Sequence, residues 1–182
     1  SSKNYSKSFS LLTSLFFMWG FITVMNDILI NTFKGVFDLS PTQRALIQFS
    51  FFGAFFIISL IYYLVSSSSG KDPINKIGYK NGIVIGLLLS VVGALAIIPA
   101  VNSGSFNFIL SAFFIVALGF SLQQTCANPF VVALGPSESG AHRLNFTGGI
   151  NSLGTTLGSI IVSYFLFGSL KKPALPAFFK FH

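Results

Sequence analysis

Five apolar runs, each long enough to cross a bilayer, constrain this chain more than any other feature. They cover roughly residues 9–33, 41–65, 79–100, 106–134 and 144–168, and a spanning helix needs about 20 mostly apolar residues. Lipid offers no hydrogen-bond partner to an open backbone, so α-helices are the expected form. The second run opens on DLSPT, where Ser40 can cap a helix and Pro41 suits its first turn. The expected fold is therefore an all-α membrane protein of about five transmembrane helices over residues 1–168. Residues 169–182 form a tail that closes no recognisable element, and the chain begins without Met, so the expectation is a piece of a longer protein.

Composition agrees with membrane residence. Only 8% of residues are charged and 52% are hydrophobic, against about 25% charged in a soluble domain. A water-facing surface cannot be covered from that supply. The net charge of +7 could suggest a nucleic-acid partner, but the basic residues fall singly or in pairs between the apolar runs. Membrane proteins keep Lys and Arg in such loops in any case. The single cysteine, Cys126, has no internal disulfide partner, and no Cys/His cluster has metal-ligand spacing, so no metal or cofactor is expected. The first run is too long, and too rich in Phe and Trp, for a cleavable signal peptide.

Loop charge sets the expected orientation. With the N-terminus in the cytoplasm, Lys3, Lys7, Lys71, Lys76, Lys80 and Arg143 lie inside, and Lys34 and Arg44 lie outside. That satisfies the positive-inside rule. The tail weakens the bias, because after five spans Lys171, Lys172 and Lys180 emerge outside. A sixth helix beyond the chain would restore it.

Of the acids, Asp38, Asp72 and Glu138 sit in loops, and Asp27 alone falls within a run, in MWGFITVMNDILI. Leu11 to Asp27 is about 24 Å of helix at ~1.5 Å per residue, which puts the carboxylate past the midplane of a ~30 Å core. An Asp at that depth costs near 3 kcal/mol on insertion scales. The surrounding aromatics and leucines can offset the cost, so what needs explaining is the group's purpose. An ionisable group in a membrane interior marks a functional site by default. Trp19, Thr23, Asn26 and Asp27 share one helix face by their 3- and 4-residue spacing. For Asn26 alone, a packing hydrogen bond between helices is an equal alternative.

The fourth run reads GFSLQQTCANPF, and its Ser121, Gln123, Gln124, Thr125 and Asn128 resemble the wall of a polar cavity. Pro129 removes a backbone bond and frees a carbonyl near Thr125. The fifth run, RLNFTGGINSLGTTLGS, offers Asn151 as a ligand or as an interhelical bond. Gly154 and Gly158, like Gly82 and Gly86 in the third run, form small-xxx-small pairs suited to close packing. GTTLGS is no phosphate loop, lacking the Gly-Lys-Ser/Thr ending and a preceding strand. Amides and carboxylates grip hydroxyls by accepting and donating together, and a sugar adds an apolar ring face suited to Trp19. A sugar-like substrate fits this chemistry, as does an amino acid or drug-like solute.

The segments SLFFMWGFITVMNDILI, LIQFSFFGAFFI, GYKNGI, QTCANPFVVALGP and RLNFTGGINSLG, in this order, resemble the fucose permease family of sugar–proton symporters within the major facilitator superfamily. The likeness covers residues 14–168 and is nearest the glucose/galactose transporter branch. It implies a twelve-helix transporter of two six-helix halves in the bacterial inner membrane, with this chain supplying most of the first half and lacking the sixth helix and the second half. It also implies that Asp27 serves proton coupling and substrate binding and that Asn151 contacts the sugar; with the polar stripes read above, the expected sugar site is lined by Asn26, Asp27, Gln123, Gln124, Asn128 and Asn151. Gln124 stands where that family carries a second membrane acid, and Gly148 where fucose-type members carry a glutamine. Glutamine does not titrate, so coupling would rest on Asp27 alone, on the second half, or on a sodium ion. The loop SSSSGKDPINKIGYK matches the superfamily's basic Gly-Asp signature only loosely, and an ordinary basic loop describes it as well.

The competing expectation is a membrane scaffold or assembly protein that transports nothing and uses its polar stripes to associate. An intramembrane enzyme lacks paired catalytic groups in this sequence.

Overall fold

Ser40 begins the second helix as its sequence predicts, in a capping box with Gln43. The Gln43 amide donates to Ser40 Oγ at 3.2 Å, and the Ser40 amide donates to Gln43 Oε1 at 2.9 Å. The computed structural model describes residues 2–37, 40–70 and 73–167, and among these no strand occurs. The helices are α1 (Ser2–Phe37), α2 (Pro41–Ser69), α3 (Pro73–Ile77), α4 (Tyr79–Asn102), α5 (Phe106–Ala133) and α6 (Gly140–Phe167), with a 3₁₀ turn at Ser137–Ser139 before α6. The tail expected at 169–182 lies outside the described residues.

The helices outrun the apolar runs at several ends. α1 extends back to Ser2, and α2 takes in the serines expected to be loop, with the Ser68 hydroxyl bonded to the Val65 carbonyl. The same connection contains the five-residue α3. Residues 5–25 of α1, together with α2, α4 and α5, are long and apolar enough to cross a membrane. Among the described residues, α6 does not join them. Its 28 residues suffice in length, but Asn145, Thr147, Asn151, Ser152, Thr155, Thr156 and Ser159 reduce its apolarity. Most of these hydroxyls bond back to their own helix, Ser152 to Gly148, Thr155 to Asn151, Thr156 to Ser152 and Ser159 to Thr155. Such back-bonding lets a polar sequence sit among apolar neighbours without unpaired hydroxyls.

α5 is central, packing on α4, α2 and α6, while α1 lies along α6. The small-residue pairs mark the tightest crossings. A Cβ at Gly86 would stand 2.7 Å from the Gly119 carbonyl, and one at Gly93 would stand 2.6 Å from the Val116 amide. On the other crossing, a Cβ at Gly154 would strike the Phe17 carbonyl, and one at Gly20 the Asn151 carbonyl. These contacts bear out the packing role expected of both glycine pairs. Leu12, Phe16, Trp19, Val116, Phe120 and Ala127 fill the main core, and a second cluster around Ile47, Ile109 and Phe113 joins α2 to α4 and α5. Outward faces carry Phe49, Phe56, Leu88, Leu95, Ile98 and Tyr164, all well exposed, which suits lipid and no aqueous surface.

Arg143, expected only as a cytoplasmic loop charge, is buried. Its guanidinium donates to the carbonyls of Val131 (3.0 Å), Val132 (2.6 Å) and Pro136 (3.0 Å), and to Ser139 Oγ (2.7 Å). It thus satisfies the orphan carbonyls at the end of α5 and places a cation at that helix's negative pole. Arg143→Met should lower stability by about 3 kcal/mol, because several buried carbonyls lose their donors together. A melt of the purified protein checks this, with a drop of roughly 5–10 °C expected. Arg143→Lys should recover little, since an ammonium cannot reproduce the guanidinium's fixed fork of donors.

Candidate substrate pocket

Trp19 faces inward from α1, 4% exposed, against Phe16 and the flank of α5. Its indole Nε1–H donates to Gln123 Oε1 at 2.8 Å. The Gln123 amide nitrogen donates in turn to Ser90 Oγ at 3.0 Å, and the Ser90 hydroxyl donates to the Gly86 carbonyl at 3.0 Å. This chain of polar groups is buried throughout and links α1, α5 and α4.

One turn along α1, Thr23 bonds to the Trp19 carbonyl at 2.7 Å and reaches a cavity of about 310 Å³. Trp19, Thr23, Phe51, Phe52, Phe55, Phe120 and Gln124 line that cavity. Its size falls at the lower end of the roughly 300–1,000 Å³ typical of small-molecule sites. A carboxamide and a hydroxyl stand in its wall among aromatic rings, the mixture that suits a compact polyhydroxylated ligand with an apolar face. The other sizeable crevice, about 220 Å³, lies among Ile58, Tyr62, Ile74, Ile77 and Leu122. Its predominantly apolar lining offers hydroxyls few partners.

The predicted residues divide by position. Gln124 lines the cavity. Gln123 is fully buried behind it, with both ends of its amide engaged by Trp19 and Ser90. Asp27 is on the exposed side of α1, one turn beyond Thr23, or about 6 Å along the axis. Asn128 is exposed on α5 next to Pro129, and Asn151 is half-buried where α6 meets Gly20. The side chain of Asn26 lies outside the described residues. The cavity therefore gathers Trp19, Thr23 and Gln124, while Asp27, Asn128 and Asn151 stand outside its lining. Ser90 went unnoticed in the sequence. Its signal was the spacing Gly82, Gly86, Ser90 and Gly93, one small face on an otherwise apolar helix. Among the described residues no group of His, Cys, Asp and Glu could hold a metal.

No family model matches the chain. It is 46% identical over 160 residues to the glucose/galactose transporter of Brucella abortus biovar 1 (strain 9-941), covering 88% of this chain and 37% of that protein. It is 37% identical over 159 residues to the L-fucose-proton symporter of Escherichia coli K12, covering 87% of this chain and 34% of that protein. The fold superposes on the crystal structure of the major facilitator superfamily transporter FucP in the outward conformation with a TM-score of 0.76 at 33% identity, over 98% of this chain and 41% of that one. The chain thus spans little more than a third of the length of the curated relatives it matches. By sequence and by fold together, it belongs to the major facilitator superfamily, in the group that holds the glucose/galactose transporters and the fucose–proton symporters.

Proposed function

We propose that the protein of which this chain is part moves a hexose-type sugar across the inner membrane, driven by proton entry through alternating access. The observation that carries this reading is the cavity bounded by Trp19, Thr23 and Gln124 among phenyl rings. In it, Gln124 both accepts from and donates to sugar hydroxyls, Thr23 adds a hydroxyl, and the rings take the apolar face. Asp27, one turn along α1, is the proton-linked carboxylate, and Asn26, Asn128 and Asn151 complete the sugar contacts in states where the pathway is open to them. Gln123 serves the same site from behind, through Trp19. The N-terminus lies in the cytoplasm, the side favoured by the charges of the loops before the tail, and a second helical half closes the pathway. Sites formed at repeat interfaces near the midplane are the general arrangement in such transporters.

Counterflow of labelled galactose and glucose into vesicles holding the full-length protein tests the reading. Transient accumulation of label driven by unlabelled hexose is the expected result. Failure with every hexose would favour the scaffold alternative. Collapsing the pH gradient should abolish net accumulation, and removing sodium should leave it unchanged. The opposite pattern would assign coupling to sodium.

A further inference from the structure

We infer that Ser90 and Gln123 are positioning residues for sugar recognition, acting as a cross-helix lock that sets the register of α1 against α5, although neither lines the cavity. The inference rests on the transport reading above.

The lock has a defined direction. A hydroxyl has one proton to give, and that of Ser90 goes to a backbone carbonyl, Gly86 at 3.0 Å or Val116 at 3.4 Å. Ser90 Oγ is then an acceptor for Gln123, so the amide's NH₂ end must point toward α4 and its oxygen toward α1. That oxygen is the acceptor for the Trp19 indole at 2.8 Å. The Trp19 indole can only donate, so it and Ser90 fix the same orientation of the Gln123 amide from opposite sides. Gln123 is fully buried, and Trp19 and Ser90 are nearly so, so water cannot replace a missing partner.

The consequence reaches the cavity through helix geometry. Thr23 lies four residues past Trp19, about 40° further round α1, and Gln124 lies one residue past Gln123, about 100° round α5. Holding Trp19 on Gln123 presents Thr23 and Gln124 to the same cavity. The Thr23 hydroxyl bonds to the Trp19 carbonyl, so its own orientation is tied to the locked residue. The Trp19 N–H is consumed by Gln123, which leaves hydrogen bonding on this wall to Thr23 and Gln124.

The test is a double-mutant cycle on hexose transport by the full-length protein, using Trp19→Phe, Gln123→Met and the double variant, with Ser90→Ala beside them. Each single change should raise KM about tenfold with a smaller change in maximal rate, because the cavity groups lose their register. The double variant should raise KM no further than the worse single one, the signature of one shared interaction. Gln123→Glu, whose protonated form keeps an acceptor for Trp19 and a donor for Ser90, should recover much of the affinity at acid pH and less at alkaline pH. Effects that multiply in the double variant, or melting midpoints that fall while KM stays at the wild-type value, overturn the inference and leave a packing role. A variant that does not fold removes itself from the cycle, and Ser90→Ala with Gln123→Glu then decides. If the wild type carries no hexose, the function reading fails and this inference with it. If the wild type transports and every folded variant keeps its KM, only the lock is wrong.

Discussion

With the proposed transport function, Asp27→Asn in the full-length protein is expected to abolish accumulation of sugar against its gradient while leaving exchange of sugar for sugar intact. The substitution keeps the size of the side chain and its capacity to bind hydroxyls but removes the only group of α1 that can carry a proton within the apolar run. A proton entering down 100 mV releases about 2.3 kcal/mol, enough to hold a sugar gradient of roughly fiftyfold for one proton per sugar. An uncoupled variant should therefore come to a ratio near one, a loss of more than a decade in the steady state. Exchange needs only binding and reorientation of the loaded carrier, so its rate should stay within about threefold of wild type. Steady-state uptake and exchange, measured on the same vesicles, separate the two effects. Accumulation that survives the change would make Asp27 structural. Gln124→Glu is the informative companion, because it places a titratable group in the cavity wall itself, in addition to Asp27 one turn beyond it. If one carboxylate on this half suffices for coupling, that variant gains no steeper gradient.

Asp27 was conspicuous in the sequence, because one carboxylate in five apolar runs needs no structure to be noticed, but its position one turn beyond the cavity wall rather than in it came only with the fold. The glycine pairs were legible for a similar reason, since a residue without a side chain on a lipid-soluble helix has few uses other than close approach. The distinction between Gln123 and Gln124 was not legible. The two are neighbours with identical chemistry, and about 100° of helix rotation separates them. What sends one into the core and the other to the cavity is a pair of partners 104 and 33 positions away in sequence, Trp19 and Ser90. Arg143 was hidden in the same way. A basic residue after a loop rich in Gly, Ser and Pro reads as a solvated charge, and only the fold brings two carbonyls at the end of α5 and that of Pro136 within its reach. Sequence pattern offered a carboxylate and several amides, of which the cavity lining takes Gln124, and long-range pairing determined which side chains face it.

Gly119→Val should remove the folded protein almost entirely. The crossing of α4 and α5 is a contact of backbone on backbone. A Cβ at Gly119 would stand 2.6 Å from the Ser90 amide nitrogen, close to the Gly86 carbonyl, and would strike Ser90 Oγ. None of these can yield as the end of a flexible side chain would, because two belong to the main chain of α4 and the third is held by Gly86 and Gln123. The helices would have to part along a seam that also includes Gly82, Gly86 and Gly93. The cost should lie at or above the ~3 kcal/mol top of the usual overpacking range, and a marginally stable fold has only about 5–15 kcal/mol to lose. Separation would also draw Ser90 off Gln123, so any protein that does fold should bind sugar weakly. Gly53→Ala is the matched control, since a Cβ there meets nothing within 4 Å and alanine is the better helix former by about 1 kcal/mol. Folded yield after detergent extraction, measured by size-exclusion profile and melting midpoint, should fall sharply for Gly119→Val and hold or rise for Gly53→Ala. Equal behaviour of the two variants would mean that the α4–α5 seam is looser than its glycines imply, and that the register on which the cavity depends is set elsewhere.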